Sequence, residues 1–382
     1  MRQHIYADNA ATTKLDIDAF EAMKPFLLEE YGNPSQPYFF AKKAKIAIKK
    51  ARETIAECIG TEPEHIFFTS GGTESDNWAI KCYGAAPGDV KVIVTSSIEH
   101  HAILNACQSQ KIQHSIHYLP VDKNGLVSPD DLDKALDWSE KPICSCMVFL
   151  ASIMMANNEI GTIQPIKELA AVAHKRGASF HTDAVQAVGH IPVNVKDLDV
   201  DMLSASAHKF NGPKGVGFFY DKGRLVYPHN DGGSQEDGRR AGTENVAGIV
   251  GMAVALRKNC SKLEENQRHI RLLEDRFMGL IYQSGLDFIR NGSEHHLPGL
   301  ISLSFKNQDG EKLLHRLDLM GISVSTGAAC DSVNTQISHV LKAIRVPDDY
   351  VRGTIRISLG KNNTEEEVDR IANNIIKICS ER

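Results

Sequence analysis

No stretch of this 382-residue sequence is apolar for long enough to cross a bilayer. The longest apolar run, 143–156, falls short of the roughly 20 residues that a spanning helix needs, and it reads as a buried strand with its exit. The opening residues, 1–13, are polar and lack the apolar segment of an export signal. Internal repeats and low-complexity tracts are missing too. Acidic and basic residues are interspersed to a net charge of −5, with no basic arm or stripe, which sets nucleic-acid binding aside. The eight cysteines follow no framework spacing, and no histidine–cysteine arrangement suits zinc. Neither a disulfide scaffold nor a metal site is therefore expected. These absences point to a soluble cytoplasmic protein with reduced thiols, away from membranes and nucleic acid.

Apolar residues make up 42% of the chain, ample for a large core, and the length suits two or three domains. Helical and strand-like pieces alternate from about residue 16 to 255. Short apolar runs at 90–95, 143–150, 178–182, 202–205 and 216–220 predict strands. Residues 165–176 predict a helix, with Pro165 in its first turn, Gly177 after its end, and Ile166, Leu169, Ala170 and Ala173 on one face. Strands separated by helices imply a mostly parallel sheet buried on both faces. After 255 the texture changes. One long charged helix is predicted over 256–282, followed by strands at 300–305 and 355–358. A last helix opens on the capping box Thr364-Glu365-Glu366-Glu367. The expected architecture is α/β: a large domain over 15–255, and a smaller α+β domain built from 1–14 and 256–382.

Polar residues cluster where these strands end. Glu99-His100 follows the 90–95 run, Asn157-Asn158 follows the run ending near 156, Asp183 closes 178–182, and His208-Lys209 follows 202–205. The carboxyl ends of parallel strands share one edge, and ligands bind there. Lys209 stands in Ser206-Ala207-His208-Lys209, before a glycine-rich turn. A lysine amine forms a Schiff base with an aldehyde cofactor, and such a cofactor needs a carboxylate at its ring nitrogen, the role open to Asp183. Alone, Lys209 reads better as a surface lysine, as most lysines are, and Asp183 has the alternative reading of a helix cap. Thr69-Ser70-Gly71-Gly72-Thr73-Glu74-Ser75 precedes a predicted helix, where glycines and hydroxyls suit a phosphate, or merely a tight turn. His100 is either a loop histidine or a flat ring able to stack on a cofactor. Cys330 differs from Cys58, Cys82, Cys107 and Cys379, which read as small core residues. Its neighbours Ser325-Thr326-Gly327-Ala328-Ala329 and Asp331-Ser332 are small and polar, which suits a nucleophile that visits a site and leaves. Asp331 beside it disfavours the thiolate unless a cation offsets it. Cys144 and Cys146 alternate along a strand and make a poor metal pair.

Taken together, the sequence resembles the cysteine desulfurases, a branch of the fold type I pyridoxal-phosphate enzymes in the class V aminotransferase group. The resemblance covers nearly the whole chain. Its markers are Asp8-Asn9-Ala10-Ala11-Thr12-Thr13, Tyr31-Gly32-Asn33-Pro34-Ser35, Asn157-Asn158-Glu159-Ile160-Gly161, His181-Thr182-Asp183-Ala184-Val185-Gln186, and the segments 69–77, 206–215, 232–243 and 325–332. It implies pyridoxal 5'-phosphate bound through Lys209, with Asp183 at the ring nitrogen, Gln186 at the phenolic oxygen and His100 stacked on the ring. It further implies that Gly72, Thr73, Ser206 and His208 hold the phosphate, with Thr243 reaching across from the second subunit of a homodimer. Asn158 and Arg356 match the clamp on the substrate carboxylate, and Cys330 the thiol that takes sulfur from L-cysteine as a persulfide, leaving L-alanine. A sulfur-acceptor protein would then relieve Cys330. Selenocysteine lyase and class V aminotransferase activity are the alternatives on the same fold. The chain departs from the pattern at Phe39, where a histidine is common, and at Ser234, where a third glycine is common. Members that feed iron–sulfur assembly often end in a tail that docks a scaffold protein. Here Arg382 follows Gly360 too soon for that partner to be expected.

Overall fold

A computed structural model describes residues 4–84, 90–138, 147–223, 227–326 and 337–381. Cys330, Cys144 and Cys146 lie outside the described residues. Twelve strands are found among those described: β1 (Ile5–Tyr6), β2 (Ile66–Thr69), β3 (Val90–Ser96), β4 (Ser115–Leu119), β5 (Met147–Ser152), β6 (Ser179–Asp183), β7 (Met202–Ser206), β8 (Gly217–Asp221), β9 (Phe288–Asn291), β10 (Leu300–Phe305), β11 (Ile322–Ser323) and β12 (Thr354–Ser358).

Seven of them form the main sheet, in the order β2-β8-β7-β6-β5-β3-β4. Strands β3 to β7 run parallel, and β8 lies antiparallel to both β2 and β7. Strands β6, β7 and β8 are buried throughout, as strands covered on both faces must be, although β6 reads Ser179-Phe180-His181-Thr182-Asp183 and β7 Met202-Leu203-Ser204-Ala205-Ser206. From β3 the chain steps outward to β4 on one side and then through β5, β6 and β7 on the other. That reversal opens a crevice at the carboxyl edge.

The smaller sheet is antiparallel, in the order β12-β10-β9, and β1 pairs in parallel with β11 beside it. The N-terminal strand therefore contributes Ile5 and Ala7 to a second core, with Phe277, Ile301, Leu303, Ile355 and Ile371. The helix Ile166–Lys175 begins after Pro165 and stops before Gly177, whose φ of 75° ends it. The capping box at Thr364 and Glu367 is present, with both reciprocal hydrogen bonds.

The single helix predicted over 256–282 is a misreading. The chain forms two helices, Val246–Ser261 and Leu263–Gln283, which break at Lys262. The first buries Ile249, Met252 and Leu256 in the core around the main sheet. The second buries Ile270, Leu273, Phe277 and Ile281 in the other core. A straight helix cannot aim one apolar stripe at two separate cores, so the chain turns between them. No helix among the described residues is long and apolar enough to cross a membrane.

Candidate active site

The carboxyl ends of β3, β6 and β7 and the start of the helix Gly72–Cys82 enclose a cavity of about 510 Å³. Gly72, Thr73, His100, Asn158, Asp183, Gln186, Ser206, His208, Lys209 and Arg356 all line it. Thr243 does not. It is exposed and is not among the residues that line the cavity. Glu99 and Asn157, adjacent to two of the lining residues, are buried beneath the floor.

Lys209 sits in the tight turn that leaves β7, and its Nζ donates to the carbonyls of Ala10 (2.6 Å) and Ala11 (3.0 Å). The His190 ring holds the Lys209 carbonyl at 2.8 Å, which fixes the backbone under the amine. Gln186 Nε2 donates to the same Ala10 carbonyl at 3.0 Å. The segment 8–13 thus forms a strap over the site. His208 Nδ1 lies 3.1 Å from Thr12 Oγ1, and Thr13 Oγ1 donates to the His208 carbonyl at 2.9 Å. Asp8-Asn9-Ala10-Ala11-Thr12-Thr13 stood out in the sequence as a marker, but its contact with Lys209 is visible only in the fold.

Asp183 is buried, and one of its oxygens accepts the Val185 N–H at 2.9 Å. Burial pushes its carboxyl up, while His100, the Val185 amide and Lys209 pull it back toward the ionised form. His100 caps the helix His101–Gln110, accepting the Ala102 N–H on Nδ1 at 3.1 Å, so the proton of its neutral ring is on Nε2. Burial lowers its pKa, opposed by Asp183 and assisted by Lys209 and His101. His208 is pushed down to about 4 by burial and by Lys209 and Lys214.

The start of the helix Gly72–Cys82 has the form of an anion cradle. Gly71 adopts φ 150°, and a Cβ at Gly72 would stand 2.5 Å from Val185 Cγ2. First-turn amides of a helix have no acceptor of their own and face the cavity with the positive end of the helix dipole. Glu74 also lines the cavity and would oppose an anion, but its charge is already engaged. Arg240 grips both its oxygens at 2.7 and 3.1 Å, and the Ser70 N–H donates to it at 2.7 Å.

A second ion pair secures the glycine-rich stretch. Glu236 and Asp237 both hold left-handed backbone, at φ 48° and 56°, which non-glycine residues keep only where the surroundings compensate. Arg52 Nη1 and Nη2 grip the buried Glu236 carboxylate at 2.8 and 2.7 Å, and the Phe68 N–H adds a third bond at 2.9 Å. The sequence reading passed over these pairs because the partners lie 166 and 184 positions apart.

Across the cavity, Arg356 reaches in from β12. Its Nη1 donates to the Asn158 carbonyl (2.8 Å) and its Nη2 to Asp8 (2.7 Å), while Nε is buried without a partner. Arg356 lines the cavity, and a planar guanidinium there is the feature that a substrate carboxylate would engage. The site thus offers an amine, a buried carboxylate, a ring, an anion cradle and a guanidinium around one space. A planar phosphorylated aldehyde carrying an amino acid fits that donor set.

Glu99 supports this floor. Ser96 Oγ donates to it at 2.6 Å and the Met154 N–H at 3.0 Å, yet burial still pushes its carboxyl up to about 8. The unfolded chain releases that proton near 4.5. Between the two values the folded state holds the extra proton, so stability falls as pH rises through the window. Glu99→Gln, isosteric with the protonated acid, is expected to flatten that slope and to gain up to a few kcal/mol over the native protein at the alkaline end. Thermal melts on either side of the window check it, and parallel curves for the two proteins would refute it.

A family model described as Aminotransferase class-V matches residues 5–371. The chain is 48% identical over 373 residues to a protein named cysteine desulfurase IscS from Dictyoglomus turgidum, covering 97% of this chain and 93% of that one. It is 38% identical over 381 residues to cysteine desulfurase NifS of Azotobacter vinelandii, covering 99% and 93%. A solved NifS-like protein superimposes with TM-score 0.90 at 39% identity, covering 99% of this chain and all of that one. A structure titled SspA in complex with cysteine superimposes with TM-score 0.81 at 34% identity, over 94% of this chain and 100% of that one.

Proposed function

Because this chain belongs to the class V aminotransferases and is, within them, a cysteine desulfurase, we propose that the cavity around Lys209 binds pyridoxal 5'-phosphate and L-cysteine together. One observation carries the reading: Lys209, Asp183, His100 and Arg356, from separate parts of the chain, line a single cavity of about 510 Å³. Lys209 would hold the cofactor through its amine, which would also carry the proton at the substrate α-carbon. Asp183 faces the ring nitrogen, Gln186 the phenolic oxygen, and His100 the ring face. Gly72, Thr73, Ser206 and His208 take the phosphate, and Thr243 comes from a second copy in a homodimer. Asn158 and Arg356 take the substrate carboxylate.

Pyridoxal phosphate supplies the electron sink for charge left at the substrate α-carbon. The chain's own nucleophile is Cys330. Its thiolate attacks the sulfur of L-cysteine, an S–S bond forms as the substrate C–S bond breaks, and the electron pair and a proton end on carbon. The products are L-alanine and a persulfide on Cys330, which passes its outer sulfur to an acceptor protein in the cytoplasm. Purified protein given L-cysteine and a reductant is expected to release sulfide and alanine in equal amounts. Alanine without sulfide, or neither product, would overturn the proposal.

Arg356→Lys is expected to raise KM for L-cysteine by about 10–100-fold, with a smaller effect on kcat, since a point charge replaces a planar fork already spread over Asp8 and Asn158. Initial rates across substrate concentration check this, and an unchanged KM would remove Arg356 from the clamp.

A further inference from the structure

Behind Asp183 lies a second carboxyl that the proposed reaction does not use. Asp76, in the helix Gly72–Cys82, lines the cavity floor and is only 1% exposed. Its Oδ1 has no hydrogen-bond partner and stands 3.8 Å from His181 Nε2. His181 and Asp183 share one face of β6, two residues apart, and Ser204 pairs directly across from Asp183 on β7. The His181 ring is saturated by hydroxyls, with Ser152 Oγ 2.9 Å from Nδ1 and Ser204 Oγ 2.9 Å from Nε2. Burial pushes that ring down to about 3, so it is neutral and brings no positive charge to Asp76.

The titratable groups facing Asp76 are therefore Asp183, Glu99 and neutral His181. Asp183 is the acidic charge beside it, since Glu99 keeps its own proton up to about 8, and Ser204 offers Asp76 a hydroxyl without a charge. Asp183, in contrast, has the Val185 amide, His100 and Lys209 to hold it ionised. Two carboxylates in one desolvated pocket cannot both keep their charge cheaply, and the one without a cation or N–H donor takes the proton. Burial, with Asp183 second, pushes Asp76 in that direction, and a hydrogen bond from the Ser204 hydroxyl opposes them without reversing it.

We propose that Asp76 is a positioning residue for Asp183: a neutral carboxylic acid that donates its O–H into the cluster behind Asp183 and leaves the ring-nitrogen partner as the single negative charge at that end of the cavity. The inference deepens the cofactor reading above and rests on it. It differs from a merely structural role because it requires a neutral donor, not an anion, at position 76.

The test compares Asp76→Asn and Asp76→Leu with the native holoenzyme. The readouts are the pH titration of the cofactor's visible absorption band and the dissociation constant for pyridoxal phosphate. Asparagine mimics the neutral acid, so D76N is expected to keep the native titration midpoint and a dissociation constant within about twofold. Leucine removes the donor behind Asp183 and leaves it the Val185 amide, His100 and Lys209 alone, so D76L is expected to weaken cofactor retention about tenfold and to displace the midpoint. In infrared spectra, D76N should lose a protonated carboxylic acid band that the native holoenzyme shows.

An ionised Asp76 makes the opposite prediction: D76N would remove an anion and shift the titration by about one unit. That shift overturns the proposal, as does a D76L protein with native titration and retention. Should D76L fail to fold, the D76N titration and infrared band decide alone. A native protein that takes up no pyridoxal phosphate overturns the cofactor reading itself, and the role of Asp76 with it. A normal native band beside a displaced D76N curve overturns only this inference.

Discussion

Lys209→Ala is expected to abolish the covalent attachment of pyridoxal phosphate and to lower desulfurase turnover at least about 10³-fold. The residue serves twice, as the attachment point and as the proton carrier, and general acid–base work alone accounts for about 10²–10⁴. The structure sharpens this expectation. The Lys209 amine is held by two strap carbonyls, at 2.6 and 3.0 Å, and therefore points into the cavity from a fixed backbone. Lys214, which also lines the cavity, is the competing amine. It lies beyond the turn that follows β7, where no comparable strap contact is present among the described residues. Borohydride reduction of the holoenzyme followed by peptide mass analysis checks the point. A pyridoxyl group on Lys209, and none after Lys209→Ala, is the expected result. Label on Lys214 in the native protein would end the assignment.

The reason Lys209 could be picked out from sequence is geometric. Parallel strands deliver their carboxyl ends to one edge, so residues just after β3, β6 and β7 must meet if the strands are identified. His100, Asp183 and Lys209 were each within a few residues of such an end, and the sheet brought them together. The cradle at Gly71 and Gly72 was legible for a similar reason, because a strand–Gly-Gly–helix junction carries its own backbone signature. Arg356 is different. Its position in a buried strand is ordinary in sequence, and only the packing of the smaller sheet against the cavity gives it a ligand to reach for. The same holds for the strap over Lys209 and for Arg52 with Glu236, whose partners are joined by tertiary contact and share no periodicity. The helix break at Lys262 was missed because polar residues on both sides continue one helical texture, while the apolar stripe changes the core it serves. Asp76 was passed over because a carboxylate in a helix reads as solvated until its burial is seen.

Cys330→Ser separates the desulfurase from its relatives in chemistry. The cofactor does not need a thiol to bind, so the variant is expected to keep the native visible band and cofactor content. Sulfide release from L-cysteine is expected to fall about a hundredfold or more, because a hydroxyl at neutral pH is a far weaker nucleophile than a thiolate toward sulfur. Cys330 lies outside the described residues, but the ends of its segment rest on the site. Ser325 exchanges backbone hydrogen bonds with Arg356 at 3.0 and 2.6 Å. On the far side, Ser338 donates to the buried Glu159 at 2.5 Å, and His339 Nε2 donates to the Glu99 carbonyl at 3.0 Å. The chain that carries the thiol therefore leaves from the residue proposed to grip the substrate carboxylate and returns beside the residue that precedes His100. The substitution leaves these two anchors in place, so the predicted loss reads the change of nucleophile alone. Mass analysis of the native protein after L-cysteine should show one added sulfur on the peptide containing Cys330, and none in Cys330→Ser. A class V aminotransferase has no use for that thiol, so full turnover in Cys330→Ser would exclude the persulfide route while leaving the Lys209 chemistry standing.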